Sequence, residues 1–256
     1  MAQTAALAPG IPADYYDRIF EIEERHWWFR GMRSIAVSLL GDRWRRPGTR
    51  LLDAGCGTGG FIRFALDAGA ARTAAGVDLG SAAIALAGQR VPEALLEVAP
   101  LDALPFDEGD FDLVVCSDVL QHVPEQDVSR SLGELRRVVA PEGAILLRTN
   151  GSRRLRVERD DWRAYDASTL RAELARAGLR CARLTYADMA LSLLRAARGS
   201  APHAPTEEQH GIPRPEPPRL RSTIGFALLQ AEARYLRREG RALPFGYALF
   251  ALAVRA

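Results

Sequence analysis

Four glycines within six residues (Gly55, Gly57, Gly59 and Gly60) follow a short apolar run, Leu51 and Leu52, and precede an apolar-rich stretch over 61–68. The run predicts a buried strand and the stretch a helix, with the glycines as the break between them. Strand, glycine turn and helix in that order let a ligand's edge reach the main chain where a side chain would collide. The same residues fit the dinucleotide spacing G-x-G-x-x-G through Gly55, Gly57 and Gly60, so the loop alone does not name its ligand. Asp53 adds a discriminating charge two residues ahead of the first glycine. An anion there serves a pyrophosphate poorly and a positively charged ligand well.

The chain downstream places further acids where a nucleoside would need them. Residues 73–78 predict a second strand ending in Asp78, about 20 residues beyond Gly55, the spacing at which a carboxylate meets ribose hydroxyls. Ser81 is expected to cap a helix running to 90. Residues 95–106 read as a third strand and a turn presenting Asp102 and the Ala103 amide, a pair suited to the exocyclic amine and ring nitrogen of adenine. Residues 111–123 are an apolar strand with a polar end. Ser117, Asp118 and His122 there fall beyond the strand's carboxyl end, where ligands bind in an open α/β sheet. His122 reads either as a general base, because imidazole titrates near neutral pH, or as a hinge residue bonded to the backbone.

A helix over 126–139 and a fifth strand over 144–149 continue the alternation, which argues a parallel sheet with helices on both faces. Beyond 151 the pattern gives a helix from Ser168 to 177, a strand over 179–186, a short helix over 189–197 and a helix over 223–238. Between the last two, residues 199–218 are Pro-rich and read as a mobile loop. A final buried strand is expected over 243–254. Ahead of the sheet, helical spacing runs from Tyr15 to Leu40 and contains His26-Trp27-Trp28-Phe29-Arg30-Gly31. Successive helical residues point about 100° apart, so these three rings cannot all face one core. The segment reads as a cap over the ligand edge of the sheet, bent at Gly31, or as an amphipathic helix packed on the domain.

Composition narrows the class. With 48% hydrophobic and 26% charged residues the chain reads as a soluble globular protein of one domain. No apolar run is long enough to cross a bilayer, and residues 1–12 show no basic region typical of a secretion signal and read as a frayed tail. Three widely spaced cysteines (Cys56, Cys116, Cys181) make no metal-ligand pattern, which points to a reduced, cytoplasmic protein with no metal. Residues 1–150 carry 15 Arg and 21 acids, whereas residues 151–256 carry 19 Arg and 11 acids. The basic half could face a polyanion. However, lysine is absent throughout and the basic stretches lack interleaved aromatics, so nucleic acid is disfavoured.

The run Leu-Asp-Ala-Gly-Cys-Gly-Thr-Gly-Gly at 52–60 closely resembles motif I of the class I S-adenosylmethionine-dependent methyltransferases. Asp78, the Asp102–Ala103 turn and the strand over 111–123 match further motifs, the last being similar to the small-molecule branch that includes ubiquinone-pathway O-methyltransferases. The resemblance implies an α/β, Rossmann-like seven-stranded sheet, mostly parallel with the last strand antiparallel beside the sixth, and helices on both faces. It implies a cap over 1–45, a cofactor-binding core over 46–187, an inserted substrate lid over 188–240 and a final strand within 241–256, all one domain. S-adenosylmethionine would be held by Asp53, Gly55, Gly57 and Gly59, by Asp78 and Leu79, by Asp102 and Ala103, and by Ser117. In the quinone branch an arginine after paired tryptophans binds the cofactor's methionine carboxylate, and Arg33 stands at that position.

The implied activity is methyl transfer to a small-molecule acceptor, with His122, His26 and Tyr165 as candidate bases in that order. The family often carries histidines ahead of the tyrosine. Here Asp160-Asp161-Trp162-Arg163-Ala164-Tyr165 has none. A nicotinamide-dependent oxidoreductase, a non-catalytic cofactor-binding subunit and a nucleic-acid methyltransferase remain as alternatives.

Overall fold

The computed structural model describes residues 14–151, 163, 165–197 and 219–256. Its strands are β1 (Arg50–Ala54), β2 (Thr73–Asp78), β3 (Leu95–Val98), β4 (Phe111–Ser117), β5 (Val139–Asn150), β6 (Leu179–Ala187) and β7 (Ala248–Arg255). They form one seven-stranded sheet in the order β3-β2-β1-β4-β5-β7-β6. The pairs from β3 to β5 are parallel, and β7 runs antiparallel between β5 and β6. Chain order reverses between β1 and β4, which opens a crevice at their carboxyl ends.

Period-two alternation assigns each strand residue to a face. Leu51, Val115 and Leu146 join a core cluster with α2 (Trp27–Leu40), α3 (Gly60–Asp67) and α8 (Arg219–Leu236). Leu52, Val114 and Leu147 join one with α5 (Glu125–Val138) and α6 (Ala167–Arg176) on the other side. Central strands buried on both faces explain why 111–116 and 144–147 are almost wholly apolar. The remaining helices are α1 (Tyr15–Ile22), α4 (Ser81–Arg90) and α7 (Met189–Ala197).

The N-terminal helical pattern is two helices, and it breaks before the tryptophans rather than at Gly31. Residues 23–26 turn the chain, and His26 becomes the N-cap of α2, its Nδ1 accepting the Trp28 amide at 3.3 Å. Gly31 sits inside α2 because α8 crosses there, and a Cβ would come within 2.3 Å of Leu229 Cδ1. That crossing also answers how adjacent tryptophans are both buried. The benzo edge of Trp27 packs on Gly225 of α8, while Trp28 meets Tyr247 edge-on at 5.9 Å. Two further caps differ from expectation. Gly80, not Ser81, precedes α4, and Asp166, not Ser168, caps α6 by accepting the Thr169 amide at 2.8 Å. The expected frayed tail at 1–12, the loop at 199–218 and Asp160 to Trp162 lie outside the described residues.

The last strand begins at Ala248, five residues later than the apolar run suggests, because 243–246 must first pass β6. Leu243 donates its amide to Thr185 Oγ1 at 2.8 Å, and a Cβ on Gly246 would lie 2.1 Å from the Ala187 carbonyl oxygen. Two glycine replacements should therefore act in opposite directions. Gly246→Ala should lower the free energy of unfolding by about 1–3 kcal/mol, because backbone must move to admit the methyl. Gly133→Ala, inside α5 with open space around it, should raise it by about 0.5–1 kcal/mol. Urea unfolding of both variants checks the pair.

Candidate active site

On the α2 face, the strands bring a row of polar side chains to the carboxyl edge of the sheet. Asp53 shares a face with Leu51, Ser117 with Val115, and Arg148 and Asn150 with Leu146. The register pairs Asp53 with Gly76 and Val115, and Ser117 with Arg148, so the row runs Asp78, Asp53, Ser117, Arg148, Asn150 across β2, β1, β4 and β5. Arg33 reaches the row from α2, close enough for its charge to act on Asp53 and to feel that of Arg148.

The glycine loop gains its shape from internal hydrogen bonds. Gly55 and Cys56 both donate to the Val77 carbonyl at 2.8 Å, and Gly59 donates to Cys56 at 3.0 Å. Asp78 accepts the Gly57 amide at 2.9 Å on one carboxylate oxygen, and the Gly80 amide at 2.9 Å and the Tyr16 hydroxyl at 3.4 Å on the other. Gly55 has φ +87, and a Cβ there would come within 2.0 Å of Val119 Cγ2. The loop therefore presents bare main chain, while the amides of Gly55, Cys56, Gly57 and Gly59 are already engaged. A pyrophosphate needs such amides unspent and the nearby carboxylates absent, which counts against a dinucleotide.

A buried ionic cluster fastens the N-terminal segment to this loop. Glu23 accepts the Thr58 hydroxyl and pairs with Arg90, which also donates to the Thr58 carbonyl at 2.9 Å and pairs with Glu24 at 2.9 Å. Burial pulls the Arg90 guanidinium down to about 10, still charged at neutral pH. Breaking a buried pair of this kind costs roughly 3–5 kcal/mol. Tyr16, Glu23 and Arg90 escaped the sequence reading because their partners lie far along the chain and no local spacing marks them.

Electrostatically the site is strained. Asp53 is 3% exposed, and burial pushes its carboxyl up to about 8. Asp78 adds to that rise, and Arg148 and Arg33 partly offset it. Arg33 is drawn down to about 10 by burial, and among the described residues it makes no ion pair. Its guanidinium lies 5.6 Å from the centroid of the Phe64 ring and would crowd a Cβ at Gly60. Arg148 grips Asp118 with two bonds, at 2.5 and 3.1 Å, and Asp118 takes a positive φ of 59°, rare outside glycine.

Other expected site residues separate into those at the edge and those withdrawn from it. Leu79 stands 55% exposed beside the loop, an apolar surface open to a flat ring. His122 is exposed in a one-turn helix, Leu120–His122, just past β4. Asp102 is paired with Arg130, and the Ala103 amide donates to Pro100 at 3.3 Å, so both partners offered to adenine are engaged within the protein. Two candidate bases are corrected. Tyr165 is fully buried, with its hydroxyl set between Arg163 and the Leu120 carbonyl, and burial raises its pKa. His26 is buried and committed to capping α2. Among the described residues no cluster of His, Cys, Asp or Glu could hold a metal, and no helix is long and apolar enough to cross a membrane.

Residues 52–147, from β1 through most of β5, match a family model described as a methyltransferase domain. A malonyl-[acyl-carrier protein] O-methyltransferase of Pseudescherichia vulneris is 32% identical over 165 residues, covering 64% of this chain and 61% of that protein. Its counterpart from Serratia marcescens is 34% identical over 134 residues, 52% of this chain and 51% of that one. A ubiquinone biosynthesis O-methyltransferase of Pseudomonas aeruginosa is 29% identical over 143 residues, covering 51% of this chain and 60% of that protein. The chain thus spans about half to three-fifths of the length of the curated relatives it matches. Among solved structures, geranyl diphosphate C-methyltransferase from Streptomyces coelicolor superposes with a TM-score of 0.57 at 16% identity, over 100% of this chain and 90% of that one. A methyltransferase from Mesorhizobium loti gives 0.55 at 18% identity, over 90% and 99%; at such identities these two likenesses speak for the fold alone. The domain match over 52–147, the curated relatives and the shared fold together make this chain similar to S-adenosylmethionine-dependent methyltransferases.

Proposed function

We propose that this chain transfers the methyl group of S-adenosylmethionine to a small-molecule acceptor. One observation carries the reading: at the switch point, bare glycine main chain lies beside two carboxyl groups held in a dry setting and a buried guanidinium that makes no ion pair among the described residues. A zwitterionic amino-acid tail on a cationic nucleoside supplies what each lacks. Arg33 takes the methionine carboxylate, a fit for a planar guanidinium. Asp53 faces the positive ammonium and sulfonium end. Asp78 retains lone pairs for the ribose diol, and Leu79 covers the adenine.

In the transfer the acceptor's lone pair forms a bond to the methyl carbon as the carbon–sulfur bond breaks, its electrons returning to sulfur to give S-adenosylhomocysteine. The sulfonium already activates the methyl group, so alignment supplies much of the rate. His122 is the exposed candidate where a proton must be removed. The cap over 1–45 and the segment 188–240, which contains α7 and α8, enclose the acceptor in this reading, and the three unpaired cysteines support a reducing, cytoplasmic setting. The relatives are O-methyltransferases by name, which makes oxygen the leading acceptor atom. Incubation with methyl-labelled cofactor and a panel of carboxylate, phenol and amine acceptors tests the proposal. Label appearing in none of them, with S-adenosylhomocysteine bound, would leave a non-catalytic binding subunit.

Two binding predictions follow the charges. Below about pH 8 the free Asp53 carboxyl holds its proton, and a cationic ligand favours the ionised form, so binding expels that proton. Affinity for S-adenosylmethionine should therefore rise from pH 6 to 8, by at most about tenfold per unit, then level off. S-adenosylhomocysteine, with its neutral sulfur but the same titrating amine, should show a weaker rise, and Asp53→Asn should abolish the difference in calorimetric titrations. Asp78→Ala should weaken both ligands by roughly ten- to a hundredfold, as expected for charge-assisted hydrogen bonds worth about 1.5–3 kcal/mol.

A further inference from the structure

The cofactor reading uses the Asp78 end of the polar row and leaves Arg148 and Asn150 at the β5 end unassigned. Asn150 is 5% exposed, and among the described residues its side-chain Nδ2 finds no hydrogen-bond partner. A buried amide left in that state costs free energy that a folded chain ordinarily avoids. Its surroundings are otherwise well bonded. Thr149 donates to buried Gln121 at 3.0 Å, the Tyr165 amide donates to the Asn150 carbonyl at 3.3 Å, and the Gly151 amide donates to the Tyr247 carbonyl at 2.7 Å. The backbone on either side is thus pinned, and the side-chain Nδ2 is left over.

A second orphan lies on the same side of the sheet. Trp27 is buried, its indole Nε1 has no partner among the described residues, and its benzo edge is turned toward Gly225, which points the pyrrole edge away from α8. Arg148, two residues before Asn150 on the same face of β5, sits about 6–7 Å away along the strand. Trp27 and Arg148 can only donate, and the carboxamide of Asn150 can turn its N–H to a ligand. Arg148 spends two of its N–H groups on Asp118, so the donors left over on this side of the sheet are the Asn150 Nδ2 and the Trp27 indole N–H, and a ligand must bring the lone pairs for them.

We infer that Asn150, with Arg148 beside it, recognises an acceptor through an anionic oxygen, so that the substrate class is an oxygen acid (a carboxylate or an acidic phenol) rather than an amine. The inference rests on the methyl-transfer reading. It also fits the withdrawal of Tyr165 and His26 into structural roles. An ionised oxygen acid attacks the methyl carbon directly, the carbon–sulfur pair returns to sulfur, and the products are a methyl ester or ether with S-adenosylhomocysteine. No proton has to be removed in the step.

Calorimetry on the full chain loaded with S-adenosylhomocysteine tests this, using hexanoate, catechol and hexylamine as probes. Hexanoate or catechol should bind while hexylamine does not, and the stronger of the two identifies the kind of oxygen acid. Asn150→Leu should weaken that probe about tenfold. The same variant should leave S-adenosylhomocysteine affinity unchanged and the melting temperature equal or higher, because an unsatisfied buried amide has been replaced by an apolar group of similar size. Equal or tighter binding of hexylamine overturns the inference. So does an unchanged oxygen-acid affinity in Asn150→Leu, a fall in its melting temperature, or no binding of either oxygen acid at millimolar concentration. Failure of the wild-type chain to bind S-adenosylhomocysteine would instead overturn the methyl-transfer reading itself.

Discussion

The Asp78 carboxylate holds the amides of Gly57 and Gly80 at once, and the geometry of the ligand edge follows from that grip. One oxygen fixes the glycine loop after β1, and the other fixes the start of α4 after β2. The two strands are neighbours in a parallel pair, so their loops emerge side by side and a single side chain can join them. Val119 closes the arrangement from the β4 side by filling the space that a side chain at Gly55 would need. Bonds to a charged acceptor are worth more than neutral ones in a low-dielectric setting, which suits a loop that must stay open without its ligand.

That rigidity comes at an electrostatic cost, localised on Asp53. A carboxyl sealed beneath α2, next to a second carboxyl, resists ionisation, and two guanidiniums only partly compensate. The arrangement is unfavourable for the empty protein and favourable once positive charge arrives, because the same low dielectric magnifies the attraction. The Glu23–Thr58–Arg90 cluster belongs to this logic. It ties the end of α1 to the loop and the end of α4, so the N-terminal segment is anchored on the cofactor side rather than resting on apolar contact alone.

Legibility in the sequence followed the range of the interactions. The glycine loop, β2 with its terminal Asp78, α4 and the apolar central strands are set by neighbours within a few residues, and the sequence marks their positions closely. The antiparallel last strand beside the sixth came from family resemblance, because no local pattern states which strand lies beside which. Gly31 looked like a bend because helical spacing cannot show α8, encoded some 200 residues later, pressing on that position. His26 and Tyr165 looked like bases because residue type reveals chemistry but not burial. The Asp102–Ala103 turn is where expected, yet its groups are spent on Arg130 and Pro100, and such internal competition is invisible in a linear pattern.

Four departures from ordinary folding rules lie along one line. Asp118 takes a left-handed backbone that suits glycine better and Asp53 buries a carboxyl, while among the described residues the buried Asn150 Nδ2 has no partner and the nearly buried Arg33 guanidinium no ion pair. All lie at or over the carboxyl edge of β1, β4 and β5, while the strands beneath alternate from face to face apart from an irregularity between Phe111 and Leu113, and the flanking helices pack on small residues. A chain that satisfied every local preference would have apolar or paired groups at these positions and would be more stable. Selection for stability alone would remove such features one by one, and selection for a ligand that completes them all would retain them together. Their coincidence on a single edge is thus evidence, independent of motif I, that the edge is built around something the chain itself does not contain.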